Sequence, residues 1–212
     1  MRDSVRAAAL AAVLVGWSFI APRLPQRWNP LPQMLFGLAV VGLERPPLGL
    51  RPPQLWRGLT WGSAAAAPVL LAVGTSIAVP MVREGMGDRR PTAPPGRWLL
   101  LGIPFGTVWP EEVTYRGALG TVSGRAFGDA AGRLFTAAVF GMSHIPDARA
   151  NNEPVLGTVL VTGAAGWVFS WLHAKSASLA APMLAHLAAN EAGAIAALVV
   201  SRRLRRTSTT PA

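Results

Sequence analysis

Long uncharged apolar runs alternate with short basic connectors along this chain, and that alternation limits what it can fold into. Residues 58–82 and 154–174 contain no Asp, Glu, Lys or Arg, and 176–201 contain only Glu191. Shorter uncharged runs occupy 7–22, 28–43, 98–110 and 134–146. A helix of about 20 residues, rising 1.5 Å per residue, crosses the ~30 Å hydrocarbon core of a bilayer. No barrel-type alternation is present, so the spanning elements must be helices, which satisfy their own backbone groups. The fold class expected is all-α: a polytopic membrane helical bundle of about seven transmembrane helices, with six to eight accommodated. The expected spans are 5–22, 29–43, 59–82, 98–122, 130–146, 155–174 and 178–201.

Composition supports this. Only 14% of the 212 residues are charged and 51% are apolar, with mean hydropathy +0.35; a soluble domain carries about 25% charge. These values argue against a soluble enzyme, a disordered chain and a nucleic-acid module. The net charge of +10 comes from residues placed between apolar runs, so the expected partner is the headgroup layer of a lipid bilayer and no nucleic acid. The absence of cysteine removes disulfides, thiolate metal sites and cysteine nucleophiles.

Arg2 and Arg6 before an apolar run resemble a signal peptide, but Ser18-Phe19-Ile20-Ala21-Pro22 offers no A-x-A cleavage site. This segment is expected to be a retained helix. The proline-rich stretch 44–57 reads as an irregular or interfacial connector and the arginine-rich 83–97 as a loop. The organisation expected is N-terminal membrane helices over 1–97, a catalytic helical core over 98–201 and a basic disordered tail over 202–212.

Glu111, Glu112 and Arg116 interrupt one apolar segment. A charge at mid-bilayer costs about 2.5–3.5 kcal/mol, so the three facing lipid unpaired would cost about 9 kcal/mol. They should therefore face the bundle interior or a wet cavity. Glu112 and Arg116 stand at i, i+4 with the acid first, the better orientation for a pair. Glu111 lies about 100° further round the helix, free for chemistry. A plainer reading makes Trp109-Pro110-Glu111-Glu112 a helix start at the membrane surface, with proline at the first position and acids in the first turn.

The histidines weigh against that plainer reading. His144 falls late in one apolar segment, and His186 with Asn190 at i, i+4 shares a face in another. Three separate segments thus carry groups of the kinds used for general-base work and oxyanion binding. His173, beside Lys175 at the end of a span, is expected to be interfacial and without catalytic role.

In order, Glu111-Glu112-Val113-Thr114-Tyr115-Arg116 matches E-E-x-x-x-R, Phe140 to His144 matches F-x-x-x-H, and His186 to Asn190 matches H-x-x-x-N. The set resembles the CPBP family of intramembrane proteases, also called Abi, which includes CAAX endoproteases and bacteriocin-processing or immunity proteins. Lys175 to Pro182 resembles the family's (R/K)-T-G-S-L-W-A-P, with Ser for Thr and Ala for Gly and Trp, and Gly117 fits as well. The resemblance covers about residues 98–195. It implies hydrolysis of a peptide bond in a membrane-associated or lipidated peptide or protein by glutamate-activated water. Glu111 would be the general base, His144 would help hold the water, and His186 with Asn190 would bind the oxyanion. Glu112 and Arg116 would support the site. No cofactor is expected; a zinc alternative would use Glu111, His144 and His186 as a three-ligand site with an open position. The apolar runs imply a multi-pass protein of the cell membrane, and the small size with the bias to arginine points to a bacterial cytoplasmic membrane. Two other functions compete: a non-catalytic bacteriocin-immunity or scaffold protein on the same fold, and a small transporter, since intramembrane acids and histidines serve there too.

Overall fold

The computed structural model of the chain describes residues 1–25, 28, 30–88 and 94–208. Among them every regular element is helical. In chain order these are α1 (Arg2–Ile20), α2 (Leu31–Glu44), α3 (Gln54–Ser76), α4 (Pro80–Asp88), α5 (residues 95–127, one unbroken helical run), α6 (Asp129–Met142), α7 (Ile145–Ala150), α8 (Val155–Ser176) and α9 (Ala180–Ser208). The protein is an all-α membrane helical bundle. Among the described residues, four helical stretches are long and apolar enough to cross a bilayer: Arg2–Arg23, Gln54–Ser76, Val155–Ser176 and Ala180–Arg202. Leu31–Glu44 is a shorter apolar helix. Leu70, Leu71, Leu100, Leu156, Leu160 and Val161 stand exposed on the outside, a surface suited to acyl chains.

Several expected boundaries are corrected, and proline explains most of them. The span expected over 59–82 ends at Ser76, because Pro80 has no N–H to continue the ladder and its ring crowds the carbonyl four residues back. Thr75 and Ser76 turn their hydroxyls onto carbonyls of their own last turn. Residues 83–88 of the expected loop belong to α4, while 89–93 lie outside the described residues. The span expected over 130–146 is broken after Met142, since Pro146 disrupts the ladder in the same way. Residues 202–208 of the expected disordered tail continue α9, as good helix formers such as Arg and Leu allow; 209–212 lie outside the described residues.

Pro110 does not start a helix. It sits inside α5, well after the helix begins at residue 95. Interior prolines at 104 and 110 remove ladder donors, and α5 widens into π turns over Trp98–Gly102, Pro104–Val108 and Glu112–Leu119. The plainer reading of Glu111 and Glu112 as a surface helix start is thereby overturned.

In lipid, helices gain little from leaving their surroundings, so close backbone approach supplies much of the packing. Gly58 and Gly62 form a G-x-x-x-G face on α3 that meets α9: a Cβ at Gly58 would lie 2.5 Å from Ser178 Oγ, and one at Gly62 would lie 2.9 Å from the Ala181 carbonyl oxygen and from Leu184 Cβ. Gly141 of α6 likewise approaches Val159 and Gly163 of α8. Gly62→Leu overpacks the α3–α9 contact and is expected to cost about 1–3 kcal/mol. Thermal unfolding in detergent measures this; an unchanged midpoint would refute the close packing.

The proline-rich connector is a strap rather than a free loop. Leu179 N–H donates to the Leu48 carbonyl at 2.9 Å, and Arg57 Nη2 donates to the Lys175 carbonyl at 3.1 Å. Gly49 holds φ +61 where a side chain would collide with the Ala177 carbonyl. The central core joins Leu10, Ala11 and Leu14 of α1 to Val40 of α2, Tyr115, Ala118 and Leu119 of α5, and Val139 and Phe140 of α6. An Arg6–Glu44 ion pair at 2.8 Å ties α1 to α2.

Candidate active site

The helix break at Pro146 creates the position of His144. With α6 ending at Met142, the Phe140 carbonyl has lost its regular ladder donor. His144 Nδ1 donates to it at 2.8 Å and Ser143 Oγ at 2.7 Å. A carbonyl can only accept, so the Nδ1 proton is fixed and Nε2 keeps its lone pair. The ring packs edge-on against Phe140, with centroids 4.7 Å apart.

Glu112 and Arg116 lie wholly inside the protein, both side chains 0% exposed, with Arg116 Nη1 3.2 Å from Glu112 Oε1. The pair expected from spacing is present. The guanidinium carbon stands 4.0 Å from the Phe140 ring centroid and 5.0 Å from that of Phe169, a cation–π setting on two sides. His186 of α9 completes the group: its Nδ1 donates to Glu112 Oε1 at 2.7 Å, and its ring stacks on Phe169 with centroids 4.9 Å apart. Glu112 thus orients His186 as well as Arg116, a link that local spacing does not reveal. Phe169 was also missed, because an aromatic in an apolar span carries no signal of its own.

Glu111 points elsewhere. Its side chain is 28% exposed, and its Oε2 lies 3.9 Å from His186 Nε2 and is itself buried without a hydrogen-bond partner. Asn190 Nδ2 donates to the His186 carbonyl at 3.3 Å. Glu111, His144, His186 and Asn190 all line one cavity of about 590 Å³. The four polar groups expected to act together are therefore brought to a shared space. Its other walls include Leu14 and Trp17 of α1, Gln33 and Phe36 of α2, and Tyr115. Trp17 stacks on Phe36 with centroids 4.4 Å apart and donates its Nε1–H to Gln33 Oε1 at 2.7 Å. His173 does not reach this cavity; it lines another. Among the described residues, no three His, Cys, Asp or Glu side chains are grouped to hold a metal ion.

Residues 93–192 match the family model described as Type II CAAX prenyl endopeptidase Rce1-like. Over this stretch the chain is similar to the CAAX protease family. No curated protein and no solved structure matches the chain. The Rce1-like stretch contains Glu111, Glu112, Arg116, His144, His186 and Asn190, whereas α1 and α2, which close one side of the cavity, lie outside it.

Proposed function

We propose that this protein is an intramembrane endopeptidase that cleaves a hydrophobic or lipidated peptide tail, of the CAAX type that the family's description names, by glutamate-activated water. The reading rests on one observation above all: Glu111, His144, His186 and Asn190 converge on one cavity. A water between the free Glu111 oxygen and His144 Nε2 would be held by two acceptors and polarised toward the scissile carbonyl. Glu111 takes a proton as the C–O bond forms, and the oxyanion that develops receives hydrogen bonds from His186 and Asn190. For His186 this requires a proton on Nε2 as well as on Nδ1, a charged ring whose Nδ1–H the Glu112 carboxylate accepts and whose excess positive charge the oxyanion balances. Glu111 then returns its proton to the leaving amine as the C–N bond breaks. Glu112 and Arg116 hold the geometry and touch no substrate. The partners in this reading are a bilayer, in a bacterial cytoplasmic membrane, and a peptide or protein substrate; no cofactor takes part.

The test is profiling of peptide termini in membranes carrying wild type against membranes carrying Glu111→Ala. New C-termini and their matching N-termini are expected only with wild type, and cleavage is expected to persist under a strong chelator. Identical profiles would replace the enzyme with a scaffold. Loss on chelation with recovery on added Zn²⁺ would transfer water activation from Glu111 to a metal.

A further inference from the structure

Arg116 does not line the cavity that holds Glu111 and the two histidines, but it does line a second one of about 300 Å³. That cavity lies where the C-terminal part of α5 meets the start of α6 and the end of α8. Ser123 Oγ and Thr136 Oγ1, 2.9 Å apart, join α5 to α6 beside it. Gly132 packs there against the Gly124 backbone, where a Cβ would lie 2.7 Å from the Gly124 nitrogen.

Its inventory of groups is one-sided. The hydroxyls of Thr121, Thr136 and Ser170 each donate to the carbonyl four residues back on their own helices. Arg116 Nε, Nη1 and Nη2 are buried with no hydrogen-bond partner, although Nη1 stands in an ion pair with Glu112, and Arg133 Nε is in the same condition. Arg116 is 1% exposed. The ring of His173 adds a further group able to donate a hydrogen bond, and the one acid lining the cavity, Asp129, is exposed. A buried guanidinium with unmet donors costs free energy until an acceptor arrives. Arg offers a planar fork suited to carboxylate or phosphate oxygens. With water occupying about 30 Å³ in the liquid, the volume accommodates a tetrahedral oxyanion with some water.

The surface beside it is basic. Arg125 and Lys175 are exposed near the same helix ends, and Arg57 is tied to the Lys175 carbonyl. Basic pockets between membrane helices at headgroup depth suit anionic lipid.

We infer that this second cavity is an oxyanion site that takes a phosphate group, presented by an anionic lipid headgroup or free in water, with Arg116 on the inner wall and Arg133 and His173 nearer the rim. The full chain, purified in neutral detergent without phosphate, is followed by thermal unfolding in two settings. One adds inorganic phosphate against a chloride control. The other compares phosphatidylcholine nanodiscs with and without phosphatidylglycerol. Wild type is expected to gain stability from a phosphate-bearing probe, and Arg133→Gln is expected to weaken that response about tenfold, the worth of one charge-assisted hydrogen bond. A gain in nanodiscs alone assigns the site to headgroups, and a gain with inorganic phosphate alone assigns it to a free anion. His173→Gln provides the same comparison should Arg133→Gln not fold. No gain from either probe, or variants that respond as wild type does, would overturn the inference.

Discussion

Glu111→Gln is expected to lower the rate of peptide cleavage by about 10²–10⁴-fold, the usual contribution of a positioned general base, while leaving the protein folded. The two halves of this expectation come from the same geometry. Glu111 makes no hydrogen bond through Oε2 and keeps part of its surface in the cavity, so an isosteric amide removes the base and, apart from the 3.9 Å ion pair with His186 Nε2, little else. Its neighbour Glu112 is wholly buried and bonded to His186 and Arg116. Turnover of a membrane-embedded substrate, measured beside the thermal midpoint, separates loss of chemistry from loss of fold. A Gln variant that cleaves at the wild-type rate would remove Glu111 from the mechanism, and one that unfolds would make it structural. Asn190→Ala should fall less far, about 10²–10³-fold, as one oxyanion donor is lost.

Arg116→Met carries the largest expected effect on stability, about 3–5 kcal/mol, because it strands a buried carboxylate. Glu112 has no exposed surface, and its Oε2 already lacks a partner; without the guanidinium it retains only His186. The aromatic rings of Phe140 and Phe169 lose the cation between them as well. Arg116→Lys keeps the charge but not the flat fork that stacks on those rings, so it should recover part of the loss rather than all of it. A double-mutant cycle with Glu112→Gln provides the check. Coupled residues lose less together than the sum of their single losses, so additive losses in detergent unfolding would mean that the pair contributes nothing jointly.

The parts of this site that sequence could reveal were those in which cause and effect are a few residues apart. Glu112 and Arg116 pair because they are i, i+4 on one helix. The break before His144 was equally local, since Pro146 supplies no ladder donor and crowds the Met142 carbonyl; hydropathy alone concealed it. The end of α3 ahead of Pro80 followed the same rule. Other features had no local signature. Glu112 and His186 are 74 residues apart, and their bond exists only because α9 packs beside α5. The Phe169 ring beneath His186 is one apolar residue among many in α8. The strap over 45–53 reads as a loose connector until its contacts with Ala177 and Leu179 are known, because proline and glycine report irregular backbone without reporting what that backbone touches.

In the proposed mechanism, the wall contributed by α1 and α2 separates chemistry from recognition along the chain. An excised fragment spanning only 93–192 would retain the acid, both imidazoles and the amide, yet it would leave the chamber open where Trp17, Gln33 and Phe36 now close it. If the chain cleaves as proposed, exchanging its first fifty or so residues would change which tails are admitted while leaving the reactive groups in place.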